Sequence, residues 1–432
     1  MSSKFLKILE SKFFKSTLIY SFSSIINASI PFFLLPILTK HFSPEDYGKI
    51  SMATILINFI TPFVGISAHG AIHRKYFDEH KDEYPRYIGN VFLLLFSSFL
   101  VLCLAIYIFK GPLVDITFLN EHILFTSLLI AMGQFVNLII LSIWQAQNKA
   151  LHYGIYQITL SLLNFGLSLY LIFQLDMDWQ GRMYAQLISA LVFALISIYI
   201  LVKNKLLKIE FNKGDMKDVL KFSLPLIPHT LGGLVIAMTD RFLIANMIGL
   251  TDTGLYTVAF QIGSIINLLN ASLSSAYIPW LFEKLKLNDE EMRAKIVRYS
   301  YFYFIGSSIF AFLFVWIMPT LMHVFLSKEY ENSMNMMIGI VIGYVFNGFY
   351  LVVVGFIFYV KKTYYLSIVT FLTALVNIPL CYYCIQKYGA IGASISMTVV
   401  YFMSFIFTWF LSNKVYPMPW LSIFKKAVSI KN

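Results

Sequence analysis

Twelve apolar stretches separated by short polar connections dominate this sequence of 432 residues. A helix that crosses the hydrocarbon core of a bilayer needs about 20 predominantly apolar residues, and each stretch has approximately that length. The stretches lie near 16–38, 50–68, 87–109, 122–144, 151–173, 183–202, 222–248, 255–281, 299–325, 334–360, 364–385 and 391–413. Because 58% of the residues are hydrophobic and only 13% are charged, the composition excludes a single water-soluble core. We predict an all-α integral membrane protein with about twelve transmembrane helices.

The basic residues concentrate in every second gap between the stretches. If the N-terminus is cytoplasmic, 26 of the 33 Lys and Arg residues lie on the cytoplasmic side and six lie outside, with Arg241 assigned to a helix. This bias is the positive-inside pattern, and it predicts that both termini are cytoplasmic. The net charge of +11 therefore requires no nucleic-acid partner, because basic residues beside a membrane meet anionic lipid.

The connection at 203–221 divides the predicted spans into six and six, and the two halves resemble each other weakly. An offset of 206 positions aligns residues of the same type at similar places relative to the helix ends. The aligned pairs are Lys15 and Lys221, Asp46 and Asp252, and Gly48 and Gly254. An even-numbered unit keeps its orientation when repeated, as in transporters built from parallel repeats. We predict an N-terminal six-helix bundle at 1–210 and a C-terminal six-helix bundle at 211–432.

Polar residues recur on one face of three predicted spans. They are Tyr20, Ser23, Ser24 and Asn27 on the first span, Gln134, Asn137, Gln145 and Asn148 on and just after the fourth, and Thr257, Gln261, Ser264 and Asn267 on the eighth. Polar groups are costly in hydrocarbon, so such a face lines either a water-filled cavity or a helix contact. Interhelical hydrogen bonds explain any single face, whereas the three together favour a cavity.

The seventh span carries three ionisable residues, His229, Asp240 and Arg241. His229 and Asp240 are about three turns apart and share a face, whereas Arg241 is turned by about 100° from Asp240. Arg241 falls near the outer boundary of the hydrocarbon. Three interpretations stay open for it: snorkelling to the outer interface, binding an anionic headgroup in the cavity, or pairing with another helix. Pro225 and Pro228 predict an interruption in the first part of this span.

Small residues in the tenth and eleventh spans favour helix packing. Gly339 and Gly343 form a G-x-x-x-G pattern, which predicts a close helix contact. Cys381 and Cys384 form a C-x-x-C pattern without a second ligand pair, which favours packing over a metal or redox site.

The sequence contains no G-x-x-x-x-G-K-[ST], H-E-x-x-H or G-x-S-x-G motif, so we predict a protein that is not an enzyme, with no catalytic residue, no metal site and no cofactor. Asp176 and Asp178 form a D-x-D pattern in a short outer loop. This pattern leaves a membrane glycosyltransferase open, although two carboxylates beside Trp179 are more often a solvated turn.

Three segments resemble the Wzx-type polysaccharide-repeat (O-antigen or capsule) flippases of the multidrug/oligosaccharidyl-lipid/polysaccharide exporter superfamily, which also contains the MATE drug exporters and the lipid II flippases. The segments are 42–48 (FSPEDYG), 239–242 (TDRF) and 253–259 (TGLYTVA). The resemblance implies two six-helix bundles around a central cavity, alternating access, and a substrate of undecaprenyl pyrophosphate that carries an oligosaccharide. It also implies a multi-pass protein of the bacterial cytoplasmic (inner) membrane.

We therefore expect a flippase that moves lipid-linked repeat units to the outer leaflet. We expect the sugars to contact Asn27, Gln134, Asn137, Gln261 and Asn267, and the pyrophosphate to meet Arg241, with Asp240 and His229 near it, or the inner-rim residues Lys15, Arg74 and Lys221.

The expected partners are the polyprenyl-pyrophosphate-linked oligosaccharide, membrane lipid and other glycan-assembly proteins. Proton or sodium coupling and removal of the product outside are both open as driving forces. The alternatives are a cation-coupled exporter of small amphipathic molecules and a membrane glycosyltransferase.

Overall fold

The computed structural model describes residues 12–78, 81–287, 289–362 and 364–420. These ranges form an all-helical fold. The helices are α1 (Lys12–His41), α2 (Pro44–Ile60), α3 (His69–Lys75), α4 (Tyr84–Thr117), α5 (Glu121–Ala146), α6 (Ala150–Phe173), α7 (Trp179–Lys203), α8 (Lys213–Ser223), α9 (Leu226–Met247), α10 (Leu250–Leu285), α11 (Glu290–Phe325), α12 (Ser333–Tyr359), α13 (Tyr364–Tyr388) and α14 (Ala390–Val415). Two predicted substrate contacts, the side chains of Lys15 and His229, lie outside the described side chains.

The described ranges contain eleven helical segments that are long and apolar enough to cross a membrane. A twelfth candidate span is the bent pair formed by α2 and the segment Val64–Lys75. The number of spans therefore agrees with the number of apolar stretches in the sequence.

The second span is broken, whereas the sequence pattern predicts one continuous helix over 50–68. Its two parts meet at an angle of 61°. Gly65, Ile66 and Ser67 all have positive φ angles, of 60°, 52° and 54°. The N–H of Gly65 donates to Oγ of Ser98 on α4 at 2.9 Å, which satisfies a backbone group that the break leaves without a helical partner. The apolar pattern did not reveal the break, because it records hydrophobicity and not backbone conformation.

The seventh span begins with a helix boundary instead of a kink. α8 ends at Ser223, α9 begins at Leu226, and Pro225 lies in the turn between them. Pro228 lies in the first turn of α9, where a missing N–H costs no helical hydrogen bond. The predicted interruption is therefore confirmed as the start of a helix.

The helix boundaries support a repeat with an offset of 206 positions. α1 ends at His41 and α9 at Met247, α2 begins at Pro44 and α10 at Leu250, and α4 begins at Tyr84 and α11 at Glu290. Each of these pairs differs by 206. The offset grows to 212 at the next pair, since α5 begins at Glu121 and α12 at Ser333, so α11 with the connection after it is six residues longer than α4 with its connection.

The chain forms two compact units that divide after Met238, inside α9. The predicted bundle limits of 1–210 and 211–432 stay a prediction. Within the first unit, α5 is the most buried span, and within the second unit it is α12. A Cβ atom on Gly133 of α5 would lie 3.0 Å from the backbone of Ala190 on α7, and one on Gly339 of α12 would lie 3.0 Å from that of Ser394 on α14.

The central helix of each unit therefore approaches a neighbouring helix at a glycine. The predicted helix contact at Gly339 and Gly343 is confirmed, because Gly343 faces Tyr401, Met397 and Thr398 of α14. The hydroxyl of Thr398 donates to the carbonyl of Gly339 at 2.6 Å. Glycine at these positions lets the backbones approach closely enough for such bonds.

The substitution Gly339→Ala tests this contact. The added Cβ would lie 2.6 Å from Oγ and 2.8 Å from Cβ of Ser394, so α12 and α14 must separate. We expect a loss of about 1–3 kcal/mol, the usual cost of overpacking, measured as a lower thermal unfolding midpoint of the protein in detergent. Gly306→Ala is the control, because nothing lies within 4 Å of a Cβ there. Equal midpoints for the two variants would contradict a close contact.

Candidate functional site

The first unit contains a cleft of about 220 Å³ between three helices, with amide side chains among apolar ones. It is lined by Gln134, Asn137, Leu138 and Leu141 of α5, Leu160 and Asn164 of α6, and Gln186 and Ala190 of α7. Four of these eight residues carry amides, which both donate and accept hydrogen bonds. A cleft of this kind inside a membrane-spanning bundle offers partners for a hydroxylated ligand in place of water.

The amide of Asn137 is largely engaged by the protein itself. It is buried, and its Oδ1 accepts from the Tyr156 hydroxyl at 2.8 Å while its Nδ2 donates to the carbonyl of Ala190 at 3.3 Å. The Tyr156 hydroxyl also lies 2.5 Å from Oγ of Ser197. These bonds join α5, α6 and α7. The predicted residue therefore lines the cleft, and it also holds the bundle together.

Gln134 and Gln186 differ from Asn137 in their partners. Both side chains are half-buried and line the cleft. Neither amide makes a hydrogen bond to another residue within the described part of the chain. They are the two amides of the cleft that no protein group in the described ranges engages, so both their donors and their acceptors are available to a ligand.

Asn27 makes a helix contact in the first unit. The hydroxyl of Ser161 on α6 donates to its Oδ1, which links α1 to α6. Asn27 is not among the residues that line the cleft. For this member of the first predicted stripe, the structure shows the interhelical hydrogen bond that was the simpler interpretation.

Arg182 is a cation beside the cleft that the sequence reasoning placed in an outer loop. It lies in the first turn of α7, which begins at Trp179, and its Nη1 donates to Oδ1 of Asn164 and, at 3.0 Å, to Oγ of Ser168. Extending the sixth span toward the N-terminus by one turn would have placed Arg182 in the membrane and revealed it.

Arg241 is packed inside the second unit. It is 9% exposed, and its Cζ lies 3.9 Å from the centroid of the Phe260 ring on α10, a cation–π contact. Its Nε lies 3.9 Å from Oδ1 of Asp240, so the two adjacent residues approach each other although they differ in helical direction. The guanidinium therefore does not snorkel to the outer interface.

Asp240 contacts α10, the same neighbouring helix that Arg241 contacts through Phe260. Its Oδ2 accepts from the Tyr256 hydroxyl at 2.6 Å, and its Oδ1 accepts from the backbone N–H of Arg241 at 2.8 Å. The side chain of Tyr256 is fully buried. Asp240 and Arg241 therefore join α9 to α10 at the segments 239–242 and 253–259 that carry the family resemblance.

The eighth span contributes a second cleft, of about 200 Å³, within the second unit. Gln261 and Asn267 are half-buried on α10 and do not line it. Asn270 does line it, and sequence reasoning missed this residue although it lies three positions after Asn267. Its Nδ2 donates to the carbonyl of Tyr344 at 2.7 Å, and its Oδ1 accepts from the Tyr303 hydroxyl at 2.8 Å. The other polar and aromatic residues of this cleft are Ser274, Tyr277, Trp280, Tyr299 and Ser300.

The two predicted inner-rim residues that the structure describes differ in their surroundings. Arg74 pairs with Asp218 of α8 and lies 5.0 Å from the Phe222 ring centroid. Lys221 is exposed and borders an open groove on α8. Arg74 therefore fastens α8 to the bundle, whereas the ammonium of Lys221 is accessible.

The D-x-D and C-x-x-C patterns lie in different surroundings, an exposed turn and a packed helix. Asp178 is exposed and caps α7 by accepting from the N–H of Gln180 at 3.0 Å, and Asp176 is exposed beside it. Cys381 and Cys384 are buried and free. No group of three His, Cys, Asp or Glu residues in these ranges is arranged to hold a metal ion.

Two family models and several curated proteins match the sequence of this chain. The family model for polysaccharide biosynthesis proteins matches residues 13–285, and the MatE family model matches residues 225–383. A protein of the Lsg locus of Haemophilus influenzae is 25% identical over 408 residues, which cover 91% of this chain and 98% of that protein. The capsular polysaccharide biosynthesis protein CapF of Staphylococcus aureus is 21% identical over 421 residues, which cover 91% and 98%.

A solved structure of the lipid II flippase MurJ in an inward closed conformation has a TM-score of 0.73. It is 17% identical in sequence, and the alignment covers 91% of this chain and 87% of that one. At this level of identity the likeness concerns the fold. It confirms the predicted fold class of an all-helical, multi-pass membrane protein.

Tyr256→Phe tests the anchoring of Asp240. The substitution removes one hydroxyl and leaves the carboxylate without its 2.6 Å donor inside the bundle. Hydrogen bonds to charged groups contribute about 1.5–3 kcal/mol, so we expect a clearly lower thermal unfolding midpoint in detergent. Tyr382→Phe, at a half-exposed position on α13, is the matched control and should leave the midpoint unchanged. A wild-type midpoint for Tyr256→Phe would rule out this anchoring role.

Proposed function

Because this chain belongs to the polysaccharide biosynthesis protein family, we propose that it is a flippase for undecaprenyl-pyrophosphate-linked oligosaccharide repeat units, which it moves from the cytoplasmic to the outer leaflet by alternating access. The family and fold neighbours are membrane transporters and flippases, not enzymes. The name of CapF supports a capsule-type glycan as cargo, and the name of MurJ supports a lipid carrier.

The polar cleft of the first unit is the observation that carries this proposal. A sugar headgroup cannot enter hydrocarbon without losing water from each hydroxyl, so a carrier must supply other hydrogen-bond partners. Gln134 and Gln186 have that capacity, and Asn164 and Asn137 complete the polar wall. We assign the first sugar contacts to this cleft. Asn27 has a structural role, because its hydrogen bond with Ser161 holds α1 against α6.

Two arginines are proposed to meet the pyrophosphate at different stages of transport. Arg241 is the cation of the seventh span, as the sequence predicts, and Asp240 holds it in place beside Phe260. Arg182 adds a cation next to Asn164 at the edge of the cleft. A guanidinium binds phosphate oxygens with two parallel hydrogen bonds, which suits a diphosphate. The polyprenyl tail stays in lipid throughout.

One observation favours the alternative of a cation-coupled exporter. The MatE family model matches residues 225–383, which agrees with a cation-coupled exporter of small amphipathic molecules. Such an exporter needs an accessible acidic site for organic cations, whereas the Asp240 carboxylate is occupied by Tyr256 and the backbone of Arg241. The glycosyltransferase alternative loses its support, because Asp178 is a helix cap on an exposed turn.

The double variant Gln134→Ala and Gln186→Ala tests the sugar contacts. Loss of two neutral hydrogen bonds of about 0.5–1.5 kcal/mol each predicts a decrease of roughly tenfold in transport of the lipid-linked oligosaccharide, measured in proteoliposomes. Gln386→Ala, exposed on α13, is the matched control. The thermal midpoint should stay near that of the wild type, because neither glutamine bonds to the protein. An unchanged transport rate would remove the cleft from the proposal.

Arg241→Ala and Arg241→Lys separate charge from packing. If Arg241 meets the pyrophosphate, we expect transport to fall by about 10–100-fold in the alanine variant and less in the lysine variant, which keeps the charge. Phe260→Leu disturbs the same packing without a change of charge and should reduce stability more than transport. Arg241→Ala that transports at the wild-type rate, per folded protein, would exclude this role.

A further inference from the structure

Helix α8 (Lys213–Ser223) has one face that the fold uses and one face that the proposed transport path does not use. The first face carries two aspartates. Arg86 of α4 donates from Nε to Oδ2 of Asp215 at 2.8 Å, and Tyr87 donates from its hydroxyl to Oδ2 of Asp218 at 2.8 Å. Together with the pair between Arg74 and Asp218, these contacts fix α8 against α3 and α4.

The second face of α8 is basic and apolar. Lys213, Lys217 and Lys221 are spaced four residues apart, so they form one stripe along the helix. All three are exposed, and none of them forms an ion pair within the described part of the chain. They border an open groove of about 530 Å³, whose other lining residues are Phe211, Met216, Leu220, Leu224 and Pro225.

This groove lies beside the membrane surface. α9, a membrane span, begins at Leu226, and Lys221 precedes it by five residues. Only five positions separate Lys221 from the start of the span, so its long side chain reaches the headgroup layer. The charge pattern predicts that this side is cytoplasmic, where the leaflet carries anionic lipids.

We propose that the α8 groove is a binding site for an anionic phospholipid of the cytoplasmic leaflet. The phosphate lies among the three lysine ammonium groups, and an acyl chain lies along Leu220 and Leu224. Charge complementarity selects the headgroup, and the apolar floor selects the chain. Because α8 leads through Pro225 into α9, the bound lipid holds the cytoplasmic end of the seventh span at the membrane surface.

The lining of the groove favours a phospholipid over the oligosaccharide carrier. None of its residues is an amide or a hydroxyl, so it offers no recognition of sugars. A site that recognises only phosphate and chain is occupied by the most abundant anionic lipid, by mass action. Selective binding of a rare, glycan-bearing lipid needs amides, which the cleft between α5, α6 and α7 contains.

The test compares binding of phosphatidylglycerol and phosphatidylcholine with identical chains to the full-length protein in detergent, by native mass spectrometry. The variant carries Lys213→Gln, Lys217→Gln and Lys221→Gln. The wild type should prefer phosphatidylglycerol, and the variant should bind it at least tenfold more weakly, because each lysine at an anionic surface contributes roughly fivefold in affinity. Its thermal midpoint without lipid should match the wild type, since exposed lysines support no packing.

A matched control carries Lys149→Gln, Lys203→Gln and Lys205→Gln, three exposed lysines of the same unit that lie outside the groove. It removes the same charge and should keep the preference. Equal losses in both triple variants would show a diffuse charge effect and overturn the site. A wild type without preference would also overturn it, as would a polyprenyl diphosphate that displaces phosphatidylglycerol at equal concentration. Because binding and not transport is measured, the result is independent of the proposed function.

Discussion

The absence of water in the bilayer is the constraint on which this structure depends. A polar group in a span is stable where it finds a partner within the protein or lines a hydrated cleft, and helices that approach closely can supply such a partner. Gly133 and Gly339 permit that approach at the central helix of each unit. Asn137 uses the approach at Gly133, since it bonds to the carbonyl of Ala190 on α7. Asn270 uses a different approach, at Gly348 of α12, and bonds to the carbonyl of Tyr344 on that helix. In both units, a glycine on the central helix accompanies an asparagine that bonds to a neighbouring backbone.

Much of the fold could be predicted from apolar length alone, because that signal depends on bilayer thickness and on few other features. The offset of 206 between the halves, predicted from three residue pairs, agrees with the observed boundaries of α2 and α10 and of α4 and α11. The break at Gly65 could not be predicted in the same way. Hydropathy records the composition of a segment, and three successive positive φ angles leave that composition unchanged.

The candidate site was less predictable, because residues with the same pattern differ in their neighbours. Gln134 and Asn137 lie on one stripe of α5, yet only Asn137 is engaged by Tyr156. Arg74 was predicted as a substrate contact, and Asp218, 144 positions away in sequence, occupies it. Arg182 was missed because its helix starts one turn earlier than the apolar window indicated. For Asn137 and Arg74, a contact with a segment distant in the sequence determines whether the side chain is available to a ligand, and a single sequence does not show that contact.

The arginines of this chain separate by the kind of partner that holds them. Arg74 and Arg86 have carboxylates within bonding distance, which neutralise them at the end of the bundle where α8 is fastened. Arg182 is held by the neutral groups of Asn164 and Ser168, and Arg241 by the Phe260 ring, with Asp240 at 3.9 Å. The neutral acceptors around Arg182 orient its guanidinium without cancelling its charge, whereas Arg241 combines a ring contact with a long ion pair. If the proposed diphosphate lipid is the cargo, an arginine that is held but not closely neutralised suits it, because a tightly neutralised arginine would attract the diphosphate less and a mobile one would cost more to order on binding.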